Sequence, residues 1–161
     1  MIKAGNKGYG LQTTTPIPKG QFIIEYVGEV ISTNTKEKRF EQYKTTGMLY
    51  ILQLTKDFMI DARTKGGIAR YINHSCNPNC TMEIWTVKGV KRAAVFPLRD
   101  LLPNEELTFD YEWELYPGRA LTKCYCGESC CRGHLEKFDK GDLHQPEAGP
   151  TDREGNEGAW R

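Results

Sequence analysis

The chain has 161 residues, 39% of them hydrophobic and 27% charged, and a formal net charge of +1. That length suits one domain with a real core and is short for two. The near-neutral balance argues neither for nor against nucleic acid, and no apolar run approaches the roughly 20 residues of a membrane span, which excludes a helical span within this sequence.

In chain order, "MIKAGNKGYG" is polar and glycine-rich, unlike a secretion signal. "NKGYGL" and "TTTPIPKG" read as two turns, the second ending at Gly20. Gln21 to Ile31, rich in β-branched and aromatic residues, predicts a strand interrupted at Gly28. Asn34 to Lys44 predicts a short helix capped by Asn34, with Glu37 three residues later and Phe40 and Tyr43 on one apolar edge. Tyr50, Leu52 and Leu54 alternate, so strands are expected around a Lys56-Asp57 turn. "TMEIWTV" and "VKRAAVF" flank Lys88-Gly89 as a hairpin, and Glu106 to Trp113 reads as another short strand. The basic stretches Lys36–Arg39 and Lys88–Arg92 read as solvated faces. From Asp139 the chain is polar with little to bury, and a disordered tail is expected. The fold class is mainly β with short helices.

Six cysteines behind a start without a secretion signal suggest a reducing compartment, where clustered thiols bind metal more often than they pair. Cys124, Cys126 and Cys131 are spaced to converge on one ion. Tetrahedral zinc needs four sulfurs at about 2.3 Å. Cys130 adjoins Cys131, and neighbouring side chains rarely reach one metal together. Cys76, which would tie two distant segments, is the natural fourth ligand; the alternatives are that Cys130 completes the site locally or that the thiols are simply free. A disulfide framework is the competing reading.

"KGYGL", "RYINHSCNPNC", "EELTFDY" and "KCYCGESCCRG" stand in the order and spacing of SET-domain protein lysine methyltransferases. The resemblance runs from Asn6 to about Leu135. Within that family, "IDARTKGGIARYINHSCNPNC", "WTVKG" and "LTFDYEWELYPGRALTKCYCG" resemble the branch that methylates lysine 36 of histone H3. Two departures stand out. The cysteine-rich zinc segment that precedes the SET domain in that branch is not in this sequence, and Cys130 replaces a usual non-cysteine. The resemblance implies small curved sheets around a pseudoknot, with a SET domain over 1–116, a post-SET zinc segment over 117–138 and the tail over 139–161.

It further implies methyl transfer from S-adenosyl-L-methionine to a lysine ε-amine, with one structural zinc. Carried over residue by residue, the cofactor contacts are Lys7, Gly8, Tyr9, Tyr50, Arg70, Asn73, His74 and Leu135. Asn73 would meet the amino-acid end, His74 the adenine, and Tyr9 would offer a flat face beside it. Tyr111 is the expected catalytic residue. Phe109, two residues before it on the same strand face, lines the substrate channel with Tyr111. Phenylalanine there carries no hydroxyl, which implies a di- or trimethylated product. The substrate would be the histone H3 tail or nucleosome, with DNA met only through the nucleosome, no membrane, a monomeric enzyme and a nuclear, chromatin location. Substrate choice would fall to Lys36–Leu49 and the post-SET loop. The alternatives are another histone H3 lysine, a non-histone protein, or a catalytically silent chromatin-binding module. The presence of Tyr111, Asn73 and His74 argues against silence.

Overall fold

The computed structural model describes residues 1–43, 50–113 and 120–137. The expected tail, the boundary expected near 116–117 and residues 44–49 of the expected substrate-choosing segment lie outside the described residues. The elements in chain order are β1 (Ile2–Lys3), a 3-10 turn (Gly5–Lys7), β2 (Tyr9–Gly10), β3 (Ile24–Glu25), β4 (Gly28–Ser32) and α1 (Thr33–Tyr43). There follow β5 (Ile51–Gln53), β6 (Phe58–Gly66), a second 3-10 turn (Ile68–Tyr71), β7 (Asn73–His74), β8 (Cys80–Val87), β9 (Val90–Pro97) and β10 (Thr108–Phe109). They form four small sheets, ordered β1-β2, β10-β7, β3-β9-β8 and β4-β6-β5. The chain is mainly β, as expected.

The run expected over 21–31 as a strand interrupted at Gly28 is two strands, parted just before that glycine. β3 pairs with β9 and β4 pairs with β6, so the chain changes sheets at Tyr26–Val27. Gly28 opens β4 at a register shift, where a Cβ would stand 2.7 Å from the Asp61 carbonyl oxygen. It therefore allows close backbone approach, while the break lies just before it. The helix cap also moves. Ser32 Oγ accepts from the Thr35 N–H at 3.4 Å, and Asn34 lies within the first turn. β4 runs directly into α1, so the serine at the strand's end is the residue placed to cap it.

The hairpin forms as expected, with Lys88 at φ 50° and Gly89 at φ 79°, the left-handed pair that a tight two-residue turn demands. The strand expected over 106–113 is shorter, because Asp110 Oδ1 accepts the Glu112 N–H at 3.1 Å and Glu112 turns to φ 50°. What remains is β10, paired in parallel with β7 so that Phe109 stands beside His74.

The core lies where these sheets meet. Ile72, Val95 and Leu101 are its largest fully buried apolar side chains, joined by Tyr26, Ile60, Ala62, Ala93 and Phe109. Each large apolar side chain so buried contributes about 1.5–3 kcal/mol. Cys80 belongs to this core, and burial pushes its thiol up to about 11. Among the described residues, one charged group is equally buried. Asp61, 1% exposed, accepts from Arg39 Nη1 at 2.7 Å, Tyr43 Oη at 2.9 Å and the Arg63 N–H at 2.9 Å. Arg39 also grips Glu29 on β4, so α1 is pinned across both β4 and β6.

Candidate active site

Two clefts meet through a narrow passage. The first, about 350 Å³, is walled by Lys36 and Phe40 of α1, Leu52 and Met59 of one sheet, and Met82 and Ile84 of the other. The second, about 440 Å³, brings together Lys7, Gly8, Tyr9, Tyr50, Arg70, Asn73, His74 and Leu135, all eight of the expected cofactor contacts. Between them lies a space of about 30 Å³ lined by Tyr26, Ile72, Phe109, Tyr111 and Trp113 among others. Tyr111 and Trp113 line all three.

Local sequence explains the second cleft. The 3-10 turn delivers Lys7, and Gly8 at φ 80° turns the chain so that Lys3 pairs with Tyr9. Lys7 Nζ donates to Glu106 at 2.7 Å. Arg70 donates to the carbonyls of Ala62 (2.9 Å) and Arg63 (3.3 Å) and to Tyr71 Oη (2.9 Å), yet its Nε is buried without a partner among the described residues. That unmet donor is closed off from the cleft, so it is a cost of about 1–3 kcal/mol rather than a contact for a ligand. The walls are aromatic, with the Tyr71 ring edge-on to both Tyr9 and Tyr50. A polar molecule with a carboxylate at one end and a flat ring at the other fits this lining.

His74 is buried, and burial lowers its pKa to about 4 against the raising effect of Asp110, so the ring is neutral near pH 7. Its Nδ1 accepts the Tyr111 N–H at 3.2 Å, which places the proton on Nε2, 3.4 Å from Cys76 Sγ. Neither ring nitrogen is therefore free to read an adenine. What His74 offers the cleft is its ring face and backbone.

In the passage, Tyr111 Oη donates to the Ile72 carbonyl at 3.0 Å. Burial raises the Tyr111 pKa above its ordinary value, with the neighbouring Tyr50 and Glu106 adding to the shift. The hydroxyl keeps its proton and is no general base. Phe109, 5% exposed, packs against Tyr111 with ring centroids 5.1 Å apart.

The sulfurs of Cys76, Cys124, Cys126 and Cys131 lie within 4.8 Å of one another, with Cys76 and Cys124 at 3.9 Å. Four sulfurs about 2.3 Å from one ion stand about 3.8 Å apart. Backbone N–H groups of Cys126, Arg132 and Gly133 point at Cys124, Cys76 and Cys131, each at 3.4 Å, the donors that thiolates need. Burial pushes the Cys124 thiol up to about 12 and raises that of Cys76, whereas at Cys126 burial is outweighed by hydrogen bonds that bring it down to about 7, so without a cation the thiols do not ionise as a set. The donor set thus suits a divalent, sulfur-loving ion. Cys130 is exposed and outside the cluster, and all six cysteines are unpaired, against the disulfide reading.

The sequence pattern of the SET domain matches residues 8–112. The chain belongs to the SET-domain family. Among curated relatives of this SET domain, the histone-lysine N-methyltransferase ASHH2 of Arabidopsis thaliana is 44% identical over 83% of this chain and 8% of its own length. A Cryptococcus neoformans histone-lysine N-methyltransferase, H3 lysine-36 specific, is 46% identical over 84% of this chain and 16% of its own. Histone-lysine N-methyltransferase Set2 of Drosophila melanogaster is 42% identical over 84% of this chain and 6% of its own. The chain spans between 6% and 29% of the length of such relatives.

Sequence reasoning missed several residues of the SET-domain clefts. Trp113 follows Phe109 and Tyr111 at strand alternation, a legible signal, and its ring stacks on Tyr111 with centroids 5.6 Å apart. Tyr125 reaches the larger cleft from between two of the clustered cysteines, and Tyr71 from beside Arg70. Glu106 lines neither cleft but holds Lys7 and Asn73, and its place beside a second glutamate gave no sign of this.

Proposed function

We propose that this SET domain is a protein-lysine N-methyltransferase acting in the nucleus on lysine 36 of histone H3, to a di- or trimethyl product. The observation that carries the reading is the passage, where one hydroxyl and one carbonyl stand between two opposed clefts. The relatives named for histone H3 lysine-36 supply the substrate class. Tyr111, Asn73 and His74 favour an active enzyme over a silent binding module.

The larger cleft would hold S-adenosyl-L-methionine. Lys7 offers a donor for its carboxylate, Asn73 meets its amino-acid end, and Tyr9, His74 and Leu135 surround the ring region, with Gly8, Tyr50 and Arg70 completing the lining. The cofactor supplies a methyl group activated by a positively charged sulfur. The smaller cleft takes the substrate segment, and its lysine extends into the passage between Phe109, Ile72 and Tyr26.

Those side chains exclude water and favour the neutral amine, since burial disfavours the ammonium. Because Tyr111 keeps its own proton, the amine proton leaves toward solvent before the lysine is fully enclosed. The Tyr111 hydroxyl, fixed by its bond to Ile72, presents oxygen lone pairs that orient the amine and stabilise developing positive charge. Cys76, Cys124, Cys126 and Cys131 would hold one structural zinc.

Recombinant nucleosomes and isotope-labelled cofactor, followed by mass spectrometry, test this. Label on lysine 36 of histone H3 is expected. Label on another lysine would reassign the substrate, and no transfer with cofactor bound would favour the silent module.

A further inference from the structure

Glu106 stands behind the larger cleft and touches two residues that line it. Its Oε2 accepts from Lys7 Nζ at 2.7 Å, and its Oε1 from Asn73 Nδ2 at 2.9 Å. The other proton of Asn73 Nδ2 goes to the Tyr9 carbonyl at 3.1 Å. Both amide protons are thus held by the protein, so the amide cannot turn over and Oδ1 is the atom left for a ligand. Lys7 keeps two more ammonium protons beyond the one given to Glu106. Gly10 makes room for this arrangement, because a Cβ there would stand 2.8 Å from Glu106 Oε1 and 3.1 Å from Asn73 Nδ2.

We propose that Glu106 is a positioning residue for the amino-acid end of the cofactor, holding the Asn73 carbonyl as acceptor for its ammonium and Lys7 as donor to its carboxylate. The inference rests on the S-adenosyl-L-methionine reading above. A carboxylate is needed because both of its partners are donors, and only a group with two acceptor oxygens satisfies both. Glutamine has nearly the same shape but carries one acceptor and one donor. If its oxygen stays with Lys7, its amide meets Asn73 Nδ2 donor to donor. Asn73 must then turn over and present a donor to the ligand's ammonium.

The test is calorimetric binding of three probes to the wild-type chain and to Glu106→Gln. S-adenosylmethionine and S-adenosylhomocysteine carry the amino-acid end, whereas 5′-methylthioadenosine keeps the adenosine and sulfur without it. Glu106→Gln should weaken the first two by about ten- to a hundredfold, the scale of a charge-assisted hydrogen bond. It should leave 5′-methylthioadenosine within about twofold of wild type, which also reports that the cleft is folded. Equal weakening of all three would make Glu106 a general support of the cleft and overturn the proposal. Unchanged affinity for the first two would overturn it as well. A wild-type chain that binds none of the three would instead sink the cofactor reading, and this one with it.

Discussion

The proposed role of Tyr111 rests on one hydroxyl whose proton is already committed to the Ile72 carbonyl. Tyr111→Phe should leave cofactor affinity within about twofold and lower single-turnover transfer by about a hundred- to a thousandfold, the usual effect of removing one preorganised polar group. Near-normal turnover in a folded variant would remove Tyr111 from the step. Because burial raises the Tyr111 pKa, its ionisation does not shape the pH profile. The logarithm of the rate should climb by about one per pH unit through neutrality, following a lysine near ~10.4 in solution, and a profile fastest in mild acid would contradict this. On the proposed reading, Phe109 governs the product. Phe109→Tyr adds a hydroxyl beside Tyr111 that holds water in the space of a further methyl, so mass spectrometry should show products shifted toward monomethyl lysine. An unshifted product distribution would show that channel width is set elsewhere.

Among the elements, α1 is the one whose placement depends on a single buried charge. Burial opposes ionisation of Asp61, but hydrogen bonds from Arg39, the Arg63 N–H and Tyr43 outweigh it and hold the carboxyl below its ordinary value of 3.8. A group depressed in this way stabilises the fold above its unfolded pKa, and that stability is lost as pH falls through the folded value. Asp61→Asn should therefore cost about 2–3 kcal/mol at pH 7, read as a melting drop of roughly 5–10 °C, and flatten the acid limb of stability below about pH 4. Since Lys36 and Phe40 ride on α1, it should also raise KM for the substrate more than it lowers kcat. A variant with unchanged melting at pH 7 would show that Arg39 is satisfied by Glu29 alone. The elements also show what sequence can report. The β8–β9 hairpin was legible because Lys88-Gly89 states its turn locally. The eight residues expected as cofactor contacts were picked out by motif, and all eight line one cleft. The interruption near Gly28 was legible, but the change of sheets there was not, because it is dictated by β9 and β6, strands far along the chain. Nor was the end of β10, where an Asp110 turn overrides an apolar alternation.

At the scale of the whole molecule, the thiol cluster is the joint between two distant segments. Cys76 lies two residues beyond His74, while Cys124, Cys126 and Cys131 belong to the segment that brings Tyr125 and Leu135 to the larger cleft. A second tie runs parallel to it. Arg132 grips Asp110 through two bonds of 2.8 and 2.7 Å, fixing the residue beside Tyr111. The larger cleft therefore has one wall on each side of the joint, and releasing the joint frees both. Metal analysis should find one zinc per chain in this segment. Chelation should remove it and weaken S-adenosylhomocysteine binding by at least about tenfold, because ligand affinity and metal occupancy are linked through one folded arrangement. Cys76→Ser should lose metal and cofactor affinity together, whereas Cys130→Ser should keep both, since Cys130 is exposed and outside the cluster. Full zinc retention in Cys76→Ser with loss in Cys130→Ser would move the fourth ligand to Cys130. Metal loss with undiminished cofactor binding would show instead that the Arg132–Asp110 tie alone is enough to hold the two walls together.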